Sequence, residues 1–190
     1  MPHETYPTYR IAVVGCSGSG KSTLAAKIAH RLGIEHVELD AYFHQPNWQP
    51  LDREEFVRRV RERTPANGQW VSCGNYQSSA GGDLVQRATH IVFLDYPWSL
   101  VMRRMVARSL GRVVRKTELW NGNRERPLNL LNPDPRQNII LWAATQWAPL
   151  RKRYASARQA GAWSHAEVVH CRKPQDAEAF LTGLPERSGA

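Results

Sequence analysis

Nine consecutive residues carry the sharpest chemical signal in the chain: Gly15-Cys16-Ser17-Gly18-Ser19-Gly20-Lys21-Ser22-Thr23. They fit the spacing G-x-x-x-x-G-K-[ST] without a gap. Glycines at these positions let the backbone curl so that its N–H groups point inward, which suits a row of phosphate oxygens. A helix that starts at Ser22 would add the positive end of its dipole. Lys21 is then expected to bridge the β- and γ-phosphates of a triphosphate, and the Ser22 hydroxyl to ligate Mg²⁺. ATP and Mg²⁺ are the expected cofactors. Gly15, Ser17, Gly18, Ser19, Gly20, Lys21, Ser22 and Thr23 form the expected cradle.

Three further groups stand at the ends of apolar runs: Asp40 after 36–39, Gly74-Asn75-Tyr76 after 69–73, and Asp95 after 91–94. Asp40 could orient or deprotonate an acceptor hydroxyl, or ligate Mg²⁺ through water. It could also be a loop carboxylate or helix cap. Asn75 and Tyr76 could meet an acceptor by hydrogen bonding and stacking, or could close a turn and fill core. Asp95 reads as a metal carboxylate or as a packing residue. His44 falls in the same loop as the Asp40 segment and could touch substrate or lie at the surface.

Basic residues are unevenly placed. The formal charge is +9, yet residues 1–102 are neutral in sum and residues 103–126 alone carry +6. Arg outnumbers Lys by 21 to 5, and Arg suits bidentate phosphate recognition. Arg104, Arg108, Arg112 and Arg115 are spaced by four, four and three, which puts them on one helical stripe. Arg104, Arg108 and Arg112 are expected to neutralise a transferring phosphoryl group. Arg124, beside Trp120, Asn121, Gly122 and Asn123, is expected to contact substrate. That stretch offers a phosphate clamp or a stacking surface. A stripe that only solubilises the surface, or that binds nucleic acid, is the alternative.

The elements that must position these groups follow from periodicity. Short apolar runs at 11–14, 36–39, 69–73, 91–94 and 167–171 predict five buried strands. Helical spacing predicts helices at 22–32, closed by Gly33, from Asp52 onward with Glu55 completing a capping box, and at 99–110, 137–159 and 174–181. Pro149 is expected to bend or break the long one. Residues 111–135, with their Gly, Asn and three Pro, read as a mobile excursion, and the tail after Pro185 is expected to fray. Strands alternating with helices make the fold α/β with a parallel sheet, in one domain spanning residues 1–190.

Taken together, GCSGSGKSTLA, ELDAYFHQPNWQP, WVSCGNY, HIVFLDYP and the Arg-rich run after them resemble the small P-loop kinases of the adenylate-kinase superfamily. Among these the chain is similar to the DNA topology modulation protein group. The likeness covers about residues 11–180. It implies a three-layer P-loop sandwich with strand order 2-3-1-4-5, an acceptor region between the second and third strands, and an Arg-rich lid at 111–135. It also implies that the loop at Arg172, Lys173 and Pro174 wraps the adenine base, mostly with backbone groups. Related sequences often carry an acidic residue where Cys73 stands, which leaves Asp40 the more responsible carboxylate for metal.

The remaining features narrow the class. No run approaches a membrane span, and residues 1–8 carry no apolar segment of a signal peptide. Three cysteines, an odd number without paired spacing, read as reduced buried thiols in a cytoplasmic protein. The seven histidines show no metal-ligand spacing. The expected function is a Mg-ATP-dependent phosphotransferase acting on a small acceptor, a nucleoside monophosphate or a hydroxyl metabolite, in a monomer. A nucleic-acid-associated ATP-binding regulator and a stand-alone ATPase are the competing classes.

Overall fold

Each of the five apolar runs becomes a strand of one sheet. The structure is a computed structural model that describes residues 8–76 and 78–186. The strands are β1 (Arg10–Gly15), β2 (Glu35–Glu38), β3 (Trp70–Cys73), β4 (His90–Leu94) and β5 (Glu167–Cys171). The helices are α1 (Lys21–Leu32), α2 (Leu39–Phe43), α3 (Arg53–Arg63), α4 (Ala80–Arg87), α5 (Trp98–Val114), α6 (Pro127–Leu130), α7 (Ile139–Gln159) and α8 (Pro174–Gly183). The strand order is β2-β3-β1-β4-β5 with every pair parallel, as expected. Successive side chains of a strand point to opposite faces. Ile11, Ala12, Val13 and Val14 are all buried, so helices cover both faces of β1 and the fold has three layers.

The central strand β1 delivers its carboxyl end straight into the phosphate loop. Gly33 closes α1 in the left-handed conformation, φ 65°, and returns an N–H to the Ala29 carbonyl. Asp52 caps α3 by accepting from the Glu54 and Glu55 N–H groups. The reciprocal half of the expected box is absent, because the Glu55 carboxylate turns to Arg58 and Arg59. Helix α7 runs unbroken through Pro149.

Four differences from the sequence reading bear on the site. Strand β2 stops at Glu38, and Asp40 opens the short helix α2 rather than ending a strand. An edge strand has only one partner, and the β2–β3 ladder ends at Glu38 opposite Cys73, so the chain beyond it curls. Helix α4 has no counterpart in that reading, since its second and third residues are Gly81 and Gly82. Gly81 is there for close approach: a Cβ would sit 2.8 Å from the Tyr76 carbonyl oxygen. Helix α5 continues past Leu110 to Val114. Beyond it, the stretch read as an excursion holds a 3-10 turn at Trp120–Gly122 and helix α6.

The three cysteines are buried and free. Burial pushes the Cys16 and Cys171 thiols up to about 11 and Cys73 to about 12. Among the described residues no helix is long and apolar enough to cross a membrane. The amino-terminal stretch 1–7 and the tail 187–190 lie outside the described residues.

Candidate active site

The loop between β1 and α1 has the backbone that the motif predicts. Gly15, Gly18 and Gly20 all take positive φ. At Gly15 the space is also full, since a Cβ would lie 2.7 Å from the Leu94 carbonyl oxygen. Gly20 caps α1 without any side-chain hydrogen bond, which leaves the first N–H groups of the helix for a ligand. Ser17 is half-buried, Ser19 buried and Thr23 exposed. The buried Ser19 Oγ has no hydrogen-bond partner in the structure. Lys21 Nζ folds back to donate to the Cys16 carbonyl oxygen at 2.9 Å. Desolvation pulls its pKa below the usual lysine value, and the Arg108 charge adds to this, while Asp40 opposes it. The Ser22 hydroxyl accepts only a weak bond from the Cys73 thiol at 3.6 Å. Such a loop fits a chain of phosphates, with Ser22 as the oxygen ligand for a hard divalent cation.

The arginine stripe of α5 divides by partner. Arg104 donates to the Ser19 carbonyl at 3.1 Å and lies over the Tyr96 ring, so it braces the phosphate loop. Arg108 makes one weak contact, to the Met105 sulfur, and is otherwise open to solvent. Crowding by protein and by Arg112 lowers its pKa, while Glu125, Asp40 and Glu38 raise it. Arg112 is bound to Glu125 at 2.8 Å, so its charge is compensated. Arg124, expected to contact substrate, is exposed and pairs with Glu118 at 3.1 Å. Of the three arginines expected to act on a phosphoryl group, Arg108 is the one left without an oxygen partner.

Asp95 is a packing residue. One of its oxygens accepts from Arg151 Nε at 2.6 Å and the other faces His170 Nε2 at 2.9 Å. The adenine-loop expectation also changes. Asp176 accepts from the backbone N–H groups of Arg172 and Lys173, at 2.8 and 3.0 Å, to cap α8 at Pro174. Those two donors are therefore taken, and only carbonyls and side chains remain there for a base.

Asp40, His44 and Tyr76 come together on the other side of Lys21. Tyr76 Oη donates to Asp40 Oδ1 at 2.7 Å, and His44 Nε2 lies 3.4 Å from the same phenol oxygen. Burial, reinforced by the Asp40 charge, pushes the phenol pKa far up, so Tyr76 stays a proton donor. Phe43 and Phe56 pack on its ring at 4.7 and 5.1 Å. Desolvation holds the His44 pKa below its ordinary value against the pull of Asp40. Asn75 faces elsewhere: its carbonyl oxygen accepts from Tyr154 Oη of α7 at 3.1 Å. Only its NH₂ group remains to meet an acceptor.

The sequence gives no direct sign of what covers this cluster. Trp120 stacks on the His44 ring at 5.7 Å and donates from Nε1 to Glu38 Oε2 at 3.0 Å. Asn121 Nδ2 donates to the His44 carbonyl at 2.6 Å. The buried Asn123 donates to the Gln45 carbonyl at 2.9 Å and accepts from the Trp48 N–H at 2.8 Å. Two short loops are thus zipped together. Each turns on an asparagine in the left-handed region, Asn47 at φ 60° and Asn121 at φ 56°. That pair of asparagines beside a tryptophan, in Pro46-Asn47-Trp48 and Trp120-Asn121-Gly122, is the signal that could have revealed the pairing.

Comparisons with known proteins agree with this architecture. A family model described as an AAA domain matches residues 11–172. Among solved structures the chain is similar to a gluconokinase from Sinorhizobium meliloti 1021, with 21% identity, a TM-score of 0.50, and 93% of this chain and 94% of that one covered. It also matches a shikimate kinase from Acinetobacter baumannii in complex with shikimate, with 17% identity, a TM-score of 0.49, and 94% and 90% of the two chains covered. At these identities the first likeness establishes the fold and no more. No curated protein matches the chain.

Proposed function

We propose that this chain, which belongs to the AAA domain family, is a phosphotransferase that moves the γ-phosphoryl group of ATP to a hydroxyl of a small acceptor. The observation that carries the reading is the facing of two half-sites. Lys21 and Ser22 stand at the end of β1. The Asp40–Tyr76 pair stands beyond β2 and β3, and Arg108 feels both halves. A gluconokinase as fold neighbour is in keeping with a small hydroxylated acceptor.

In the reaction the acceptor oxygen forms a bond to the γ-phosphorus as the bond from that phosphorus to the β-phosphate bridging oxygen breaks. ADP leaves, and the hydroxyl proton passes to Asp40 Oδ2, the oxygen that Tyr76 leaves free. Tyr76 holds the carboxylate in place. Backbone N–H groups of residues 15–20 and Lys21 hold the phosphates, and Arg108 meets the charge on the transferring group. Mg²⁺, held by Ser22 and through water by Asp40, would neutralise β- and γ-oxygen charge. The paired loops above His44 exclude water, which would otherwise compete as acceptor.

The reading includes a single kinase domain of the adenylate-kinase-like kind, with a lid at about 111–135, working as a cytoplasmic monomer. Nucleic-acid binding is not favoured, because Arg104, Arg112 and Arg124 of the basic segment are engaged within the protein. The test is ADP release with Mg-ATP across nucleoside monophosphates, nucleosides, sugar acids and other hydroxyl metabolites. Release should depend on one acceptor class and fall at least roughly 10³-fold in Lys21→Ala. Release that needs no acceptor, or that survives in Lys21→Ala, contradicts the proposal.

A further inference from the structure

We infer that the acceptor carries a protonated amine beside its hydroxyl, as an amino alcohol or amino sugar does. The inference rests on the phosphotransferase reading and names the substrate class for that same site. It begins with the distribution of paired charge. An anionic acceptor needs a free cation on the acceptor side of the pocket. The arginines between β2 and β3 are all engaged: Arg53 on the Ser78 carbonyl, Arg58 and Arg59 on Glu55, Arg61 on Asp83, and Arg63 on Glu35. Burial keeps His44 neutral. Lys21 and Arg108, the two cations without an ion pair among the described residues that the reading assigns to the site, stand on the phosphoryl side.

The carboxylates show the opposite pattern. In a chain of formal charge +9, Glu38 and Asp40 are half-buried, and neither forms an ion pair among the described residues. Each accepts one hydrogen bond from a neutral ring, Glu38 from Trp120 and Asp40 from Tyr76. Glu38 Oε1 and Asp40 Oδ2 accept from no group among the described residues. The Trp120 ring that holds Glu38 stacks on His44, and His44 touches the phenol that holds Asp40, so the two carboxylates belong to one cluster. A half-buried carboxylate without a cationic partner costs free energy, which a bound cation offsets.

His44 points the same way. The Tyr76 proton is committed to Asp40, so the contact at 3.4 Å is a donation from His44 Nε2–H to the phenol oxygen. That tautomer makes Nδ1 a bare acceptor, and Nδ1 is buried without a partner. Three acceptor atoms of this cluster, Glu38 Oε1, Asp40 Oδ2 and His44 Nδ1, therefore have no donor among the described residues. Beside them the rings of His44, Trp48 and Trp120 pack on one another, and the π-face of a tryptophan attracts cations. A ligand rich in donors and positively charged answers all of these features. Asp40 receives the hydroxyl proton, and Glu38 binds the ammonium group.

The test measures kcat/KM for ADP release from Mg-ATP on the full chain. The amines are glucosamine, streptamine and ethanolamine, set against N-acetylglucosamine, N-acetylethanolamine, gluconate and AMP. At least one amine should be a substrate, and N-acetylation should lower its kcat/KM roughly tenfold or more, as loss of a charge-assisted bond implies. Glu38→Gln, which keeps the bond from Trp120, should raise KM for that amine about tenfold and leave KM for the neutral analogue within about twofold. The ranking of acceptors by the unaltered protein tests the idea even if the variant folds poorly. Turnover of gluconate or AMP at or above that of every amine overturns it, as does an N-acetyl analogue that works equally well or a Glu38→Gln variant with unchanged KM. Lys21-dependent turnover of anionic acceptors alone would sink this inference and leave the phosphotransferase standing. Absence of Lys21-dependent turnover with any compound would remove both.

Discussion

The phosphate loop and the acceptor pocket share one edge of the sheet and are built from different materials. The loop is nine contiguous residues whose backbone conformation makes the site, held by three glycines at positive φ. The proposed pocket is made of side chains from three separate segments, 38–48, 73–76 and 118–125, joined by side-chain bonds to one another and to backbone groups. A backbone cradle recognises what every triphosphate has in common. A side-chain pocket can be recut residue by residue. On the proposed reading the first half fixes the donor, and the second half chooses the acceptor.

If that division is right, a lesion on the phosphoryl side should cost turnover with every acceptor alike. Arg108→Ala should lower kcat roughly 10³-fold and leave the ranking of acceptors unchanged, checked by steady-state kinetics on two acceptors. An acceptor-dependent loss would show that Arg108 belongs to the pocket. The zipped loops should respond more gently and locally. Asn123→Ala removes three hydrogen bonds, to Trp48, Gln45 and Trp120, from a buried site. It should destabilise the docked arrangement by about 1–3 kcal/mol. Hydrogen exchange should speed up at Trp48 and at 119–123 while protection of β1 and α1 is retained. Faster exchange at both would mean that the two halves form one cooperative unit.

The same contrast explains what could be read in the sequence. The five strands and the loop ending at Lys21 and Ser22 follow from short apolar runs and a contiguous motif, both local properties of the chain, whereas the strand order follows only from the resemblance to the small P-loop kinases. Asp40 and Tyr76 were legible as candidates because each follows an apolar run, although β2 ends two residues before Asp40 for want of a pairing partner. Glu38 was not legible. It stands in a strand beside a buried Val37 and gains its place only when Trp120, far along the chain, reaches its carboxylate. The ion pairs of Arg112 and Arg124 were not legible for a related reason: helical spacing puts Arg112 on a face and the lid stretch holds Arg124, but neither says that Glu125 and Glu118 fold back to meet them. Asp95 shows the same limit, since Arg151 and His170 come from α7 and β5.

The central claim is that Asp40 serves the acceptor and Lys21 the nucleotide. It is tested most directly by measuring ATP affinity and acceptor-dependent ADP release together in Asp40→Asn. The account predicts ATP binding within about twofold of the unaltered protein and a fall in acceptor-dependent release of roughly 10²–10⁴-fold. An Asp40→Asn protein that releases ADP as fast as before would contradict it.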